Sequence, residues 1–210
     1  MADKATLVAE IGQNFCGNIK LAEWLITLAK TEGADLAKFQ LYDSVKLYGE
    51  KQNTELTFEQ AKHLFEFGKE KGIEVYFSVF DKERVKWCEQ IGVGLYKIAY
   101  SQRNNTDLVA CAVNTGKPVI ISGLDLYCIS KYPTFLDDLH FNNIDFGMLK
   151  GYSDHTIGIS ACQIALSRGA KMIEKHFAID HKKGVDAEWS MSPSELKILR
   201  KFTDAVSVVL

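Results

Sequence analysis

The 210-residue sequence has no Cys-x-x-Cys pair. Its five cysteines, Cys16, Cys88, Cys111, Cys128 and Cys162, are odd in number and widely scattered. That spacing excludes a disulfide framework or zinc knuckle and reads as reduced thiols. Only three prolines occur, with no Ser/Gly-rich stretch and no block of like charge, so nothing marks an interdomain linker. Charge of one sign is also missing: 25 Lys plus Arg face 27 Asp plus Glu, a formal net charge of −2, which argues against a nucleic-acid partner. No apolar run approaches the roughly 20 residues needed to span a bilayer, and residues 1–6 show no charged-then-apolar leader pattern. The expected location is the cytoplasm. Dinucleotide, Walker, HExxH and GxSxG signatures are absent as well.

What is present is a 47% hydrophobic chain in which short β-rich runs alternate with segments of helical periodicity. That is the pattern of βα units around a parallel sheet. Strands are predicted over 7–12, 36–42, 74–80, 95–100, 119–122, 126–130, 151–155 and 172–179. Eight of them predict a single-domain (β/α)8 barrel over residues 1–210. Leu21, Leu25, Leu28 and Ala29 form the expected buried stripe of the first helix. Thr57 and Gln60 form a capping-box pattern before Ala61, Leu64, Phe65 and Gly68. Ser192, Pro193 and Glu195 open a last helix with Ile198, Phe202, Ala205 and Val209 on its expected buried side. Between 119–122 and 126–130 stand only Gly123, Leu124 and Asp125, whereas a parallel crossover takes about a dozen residues. A helix is therefore missing there. An antiparallel hairpin, a strand bent through Gly123 and an internally shortened barrel are the three ways to accommodate this.

In such a barrel the chemistry sits where strands end and the following loops begin. The polar residues there are Glu10, Gln13 and Asn14; Lys38 and Gln40; Lys97; Ser122; Ser130; Ser153, Asp154 and His155; and Glu174, Lys175 and His176. Alternation puts Lys38 and Gln40 on one side of their strand and Ala37, Phe39 and Leu41 on the other. Two inward lysines, Lys38 and Lys97, call either for an anionic ligand or for buried carboxylates such as Glu10 and Glu174. His155 and His176 end consecutive strands, where two imidazoles can reach one divalent cation. Asp186, in the loop over the barrel mouth, is a candidate acceptor for a sugar hydroxyl. His63 and His140, placed in helical segments, and His181, in a loop, read as ordinary surface or packing residues.

The segments LVAEIGQNFCGNIKLAEWLITLAKTEGADLAKFQ, EVYFSVFDKERVKWCEQIGVGLYKIA, GKPVIISG, LYCISKYPT and GYSDHTIGISACQIALSRGAKMIEKHF resemble the sialic acid synthase family. These are nonulosonate synthases of carbohydrate and surface-polysaccharide biosynthesis. They condense phosphoenolpyruvate with an N-acylated mannosamine-like hexosamine. The resemblance implies a metal-dependent barrel with Mn²⁺ or Mg²⁺ on His155 and His176. It also implies phosphoenolpyruvate contacts from Lys38, Lys97, Ser122 and Ser153, and sugar contacts from Glu10, Gln40, Tyr132 and Asp186, with Ser130 on the strand-six motif. Glu10, Lys38, Lys97, His155 and His176 form the expected catalytic set. The chain departs from the family pattern at Phe15, Tyr100, Gln102 and Ser130, where the family carries His, a small hydroxyl residue, a carboxylate and Asn. The family's antifreeze-like C-terminal domain has no counterpart before Leu210, which leaves room for a homodimer or a separate lid polypeptide. Another metal-dependent aldolase, or a partner-dependent barrel fragment that only binds metal or ligand, is the competing expectation.

Overall fold

A computed structural model describes residues 4–209. Eight strands alternate with helices along the chain: β1 (Thr6–Gly12), β2 (Leu36–Leu41), β3 (Glu74–Val79), β4 (Tyr96–Ile98), β5 (Val119–Ile121), β6 (Leu126–Cys128), β7 (Gly151–Asp154) and β8 (Met172–His176). All eight form one parallel sheet in the order β5-β4-β3-β2-β1-β8-β7-β6. A single parallel bridge, Ser122 to Leu126, links its two ends. The fold is a shortened TIM-type (β/α)8 barrel, as the strand pattern predicts. Its helices are α1 (Ile19–Thr31), α2 (Ser44–Tyr48), α3 (Phe58–Lys71), α4 (Lys82–Ile91), α5 (Thr106–Val113), α6 (Ser160–Ser167) and α7 (Pro193–Val209). None of them is long and apolar enough to cross a membrane.

Alternation along the strands sorts the side chains into two cores. Ala37, Phe39 and Leu41 of β2 are fully buried on the helix side, whereas Lys38 and Gln40 point into the barrel. The helices that close the outer layer are capped as their sequences require. Thr57 and Gln60 form the reciprocal capping box of α3. At α7 the Ser192 backbone N–H donates to Glu195 Oε2 at 2.7 Å.

Two expected helix faces are corrected. On α1 the fully buried residues are Ala22, Leu25, Ile26 and Ala29, with Leu21 and Leu28 only half-buried. On α7 the buried side is Leu196, Leu199, Arg200 and Thr203, while Ile198 and Val209 are exposed. The phase is set by a polar anchor that hydrophobic periodicity cannot register. Arg200 donates to Asp35 Oδ2 at 2.9 Å and packs its stem against Gly33. His140 lies in an irregular segment before a short 3-10 turn, not in a regular helix.

The connection between β5 and β6 contains no helix and is not a hairpin. β6 runs parallel to its neighbours and starts level with the end of β5, so the chain steps sideways and continues upward, and no return crossover is needed. Gly123, at φ +85°, makes the step. Its N–H donates to Leu126 O at 2.8 Å. The Asp125 carboxylate accepts the Ile121 N–H at 2.8 Å, replacing the neighbouring strand that β5 lacks along its lower half. A Cβ on Gly123 would lie 2.8 Å from the Tyr100 ring. Gly123→Ala therefore combines a left-handed backbone cost with displacement of an aromatic ring. Urea denaturation should show a loss of about 1–3 kcal/mol; an unchanged midpoint would contradict the sideways-step geometry.

Candidate active site

The inward residues of all eight strands converge at the C-terminal mouth of the barrel. Glu10 and Lys38 are register partners across β1 and β2, Glu10 and His176 across β1 and β8, and Ser153 and Glu174 across β7 and β8. Their side chains line an inner cavity of about 50 Å³. It opens into an outer one of about 400 Å³, with which it shares Gln40, Tyr132 and His176. The eleven residues that the family resemblance assigns to the site all border this pair of cavities: Ser130 and Asp186 line the outer one, and the other nine line the inner one. Of the other polar residues at strand ends, Gln13 and Glu174 also line the cavities, whereas Asn14, Asp154 and Lys175 do not.

Four charged side chains form the floor, and all four are buried. Lys38 Nζ lies 2.8 Å from Glu10 Oε2, 2.9 Å from Ser78 Oγ and 3.3 Å from Glu174 Oε1, so three acceptors surround it. Lys97 Nζ donates to Ser122 Oγ at 2.5 Å and lies 3.3 Å from Glu174 Oε1, so one N–H remains uncommitted. Of the two expectations for inward lysines, carboxylate pairing is realised, with a donor left over on Lys97. Glu174 is the shared counter-ion. Burial alone would raise its pKa, but Lys38 and Lys97 together bring it down to about 2. Lys38 is raised, because Glu10 and Glu174 outweigh its burial; Lys97 is lowered, because burial and the nearby Lys38 charge outweigh Glu174.

Above this floor stand the two histidines, with ring centroids 5.5 Å apart. His155 Nδ1 is 2.9 Å from the Ile129 carbonyl, which can only accept, so Nδ1 carries the hydrogen and Nε2 keeps its lone pair. His176 Nδ1 lies 3.2 Å from Asp186 Oδ2, which favours the same tautomer. Burial and the neighbouring His176 push His155 down to about 4. Burial also opposes protonation of His176, but Asp186 outweighs it and its pKa is raised. Two imidazoles side by side, each with an acceptor near Nδ1, are a donor set that fits a divalent cation once both are neutral. Among the described residues no group of three or more His, Cys, Asp or Glu is disposed to hold one.

The outward neighbours of these histidines hold the pair in register. Asp154 and Lys175 are register partners on the opposite face of β7 and β8, fully buried and 2.8 Å apart. Lys175 also donates to Thr156 O at 2.7 Å, and Asp154 accepts the Thr156 N–H at 2.8 Å. The loop carrying His155 is thereby tied to β8.

Sequence reasoning did not nominate Ser78, Tyr48 or Trp189, which also line the cavities, and named Tyr100 only as a departure from the family pattern. Ser78 was detectable as the inward position near the end of β3; Tyr48 ends the five-residue helix α2 and Trp189 lies in a 3-10 turn, both too short to carry a periodic signal. Of the positions that depart from the family pattern, Tyr100 and Ser130 face the cavity. Phe15 is buried, edge-on to Phe39 at 5.9 Å. Gln102 sits on a 3-10 turn and accepts from Asn105.

A family model described as the NeuB family matches residues 25–123 and 125–210. The chain belongs to the NeuB family. The break at Leu124 falls where the β5–β6 helix is missing. N,N'-diacetyllegionaminic acid synthase of Legionella pneumophila is 30% identical over 97% of the chain and 72% of its own length. That alignment runs to 258 positions against a 210-residue chain, so this NeuB relative carries extra residues inside the matched region. Human N-acetylneuraminate-9-phosphate synthase is 30% identical over 90% of the chain and 67% of its own length. The crystal structure of an N-acetylneuraminic acid synthetase from Leptospira borgpetersenii superposes with a TM-score of 0.89 at 26% identity. It covers 99% of this chain and 85% of that one.

The charged floor gives acid stability a definite form. Glu174 is held below the ordinary glutamate value of 4.5, at about 2, so its stabilisation is complete above about pH 4.5 and disappears as pH falls through about 2. Glu174→Gln should be less stable near neutrality, because it leaves Lys38 and Lys97 short of a counter-ion. It should also show a shallower loss of stability between about pH 5 and about pH 3. Urea midpoints at stepped pH check this; an unchanged slope would mean that Glu174 is not ionised in the folded protein.

Proposed function

We propose that this cavity is the active site of a nonulosonate synthase, which joins phosphoenolpyruvate to an N-acylated mannosamine-like sugar and releases phosphate. The observation that carries the reading is one cavity at the barrel mouth holding two buried lysines beneath two histidines, His155 with Nδ1 on the Ile129 carbonyl and His176 with Nδ1 3.2 Å from Asp186. The names of the NeuB relatives agree with it.

In this reading the spare N–H of Lys97, the Ser122 and Ser153 hydroxyls and the charge of Lys38 receive the phosphate and carboxylate of phosphoenolpyruvate. His155 and His176 would hold Mn²⁺ or Mg²⁺ through Nε2, leaving its other positions to water and substrate oxygens. Such a cation supplies Lewis acidity toward a carbonyl oxygen when bound. C3 of phosphoenolpyruvate attacks the aldehyde carbon of the open-chain sugar, water adds at C2, and the C2–O bond to phosphate breaks. Glu10 is held by Lys38 and by Gln40, whose Nε2 donates to Glu10 Oε1 at 2.8 Å. In this reading it accepts a proton from the added water. Tyr132, 4.4 Å from the His155 ring, and Asp186 face the sugar.

Phosphate release from phosphoenolpyruvate should require both Mn²⁺ and an N-acylated hexosamine, and should be lost in His155→Ala and in His176→Ala. Release that persists in both variants, or without sugar, would overturn the assignment.

Asp186 sets a pH signature. The histidines bind metal only when neutral, so activity should fall as pH drops through the raised pKa of His176. Asp186→Asn removes the charge that raises it. The acid limb should move to lower pH, with metal affinity weakened by about ten- to hundredfold. A pH profile with no acid limb would count against histidine ligation.

A further inference from the structure

The outer cavity, taken as the sugar site of the proposed synthase, carries information about the charge of the sugar. Its walls are aromatic: Tyr48, Phe80, Tyr100, Tyr132 and Trp189 all border it. Its polar surface is largely neutral. Gln13 Nε2 donates to Tyr48 Oη at 3.1 Å and lies 3.4 Å from Gln40 Oε1, while Gln13 Oε1 accepts from Thr54 Oγ1 at 3.2 Å. Its charged or titratable groups other than tyrosine are His176 and Asp186, 3.2 Å apart. No lysine or arginine is among the residues that line it. Arg103, three residues from Tyr100, is not among the residues that line it. Its guanidinium stacks 3.7 Å from the Tyr100 ring centroid and donates to the Tyr100 carbonyl at 2.8 Å.

A phosphate ester leaving water for this cavity would find no guanidinium or ammonium to pair with, and would meet the Asp186 carboxylate instead. Sugar C–H faces, acyl methyl groups and hydroxyls are what aromatic walls with neutral amides accommodate. We propose that the acceptor is an N-acylated hexosamine without a phosphate ester, and that the aromatic wall and Asp186 are what exclude the phosphorylated form. The inference rests on the synthase reading for its reaction but not for its binding test. The NeuB relatives named above include one whose name specifies a 9-phosphate product and one whose name specifies a diacetylated acid and mentions no phosphate.

The test compares N-acetylmannosamine with its 6-phosphate on the full chain, by phosphate release with Mn²⁺ and by calorimetric binding. The expected kcat/KM and affinity both favour the neutral sugar by at least about tenfold. Tyr48→Lys should narrow that preference by about tenfold, read as tighter calorimetric binding and a lower KM of the phosphorylated sugar. Equal or better binding of the 6-phosphate, or no measurable binding of the neutral sugar, overturns the inference. Release with neither sugar, alongside selective binding of the neutral one, would instead overturn the synthase reading and leave the specificity intact.

Discussion

Four charges inside a barrel constrain everything built above them. Lys38, Lys97, Glu10 and Glu174 are all buried, and each lies within 3.3 Å of at least one partner of opposite sign. Glu174 serves two lysines at once, which pins β2, β4 and β8 to one another across the barrel interior. The three serines at the same level, Ser78, Ser122 and Ser153, each bond one member of this group. The result is a floor of two lysines and two carboxylates, already assembled before a ligand arrives.

Much of this was legible in the sequence because period-two alternation is a strict rule. Lys38 and Gln40 had to share a face, and the structure puts both in the cavity with Phe39 behind them. His155 and His176 could be paired because both end consecutive parallel strands, and parallel register places such ends side by side. Helix faces were harder. On α7 an arginine and a threonine turn inward, and a reading based on apolar spacing misphases the helix because the decisive contacts are long-range polar ones, Arg200 to Asp35 and to the Gly33 region. Tyr48, Tyr100 and Trp189 reach the site from connections after strands, where geometry depends on the whole fold and no local period exists.

The shortened β5–β6 link shows what a barrel requires of its connections. A crossover helix returns the chain to the bottom of the sheet; here each strand has three residues and β6 begins where β5 ends, so the return is unnecessary. The requirement that survives is satisfaction of the backbone, met by Asp125 on the Ile121 N–H and by Gly123 on Leu126. The cost falls near the site: Tyr100 packs against Gly123 and borders both cavities, so the step in the barrel wall and the shape of the outer cavity are one structural fact.

The central claim is that the two histidines and the lysine floor act on one substrate assembly. The most direct test is a crystal structure of the chain soaked with Mn²⁺ and phosphoenolpyruvate, read by anomalous scattering. The account predicts a manganese peak bound by Nε2 of His155 and Nε2 of His176, with a phosphate or carboxylate oxygen hydrogen-bonded to Lys97. Manganese bound away from the histidine pair, or phosphoenolpyruvate bound outside the barrel mouth, would contradict it.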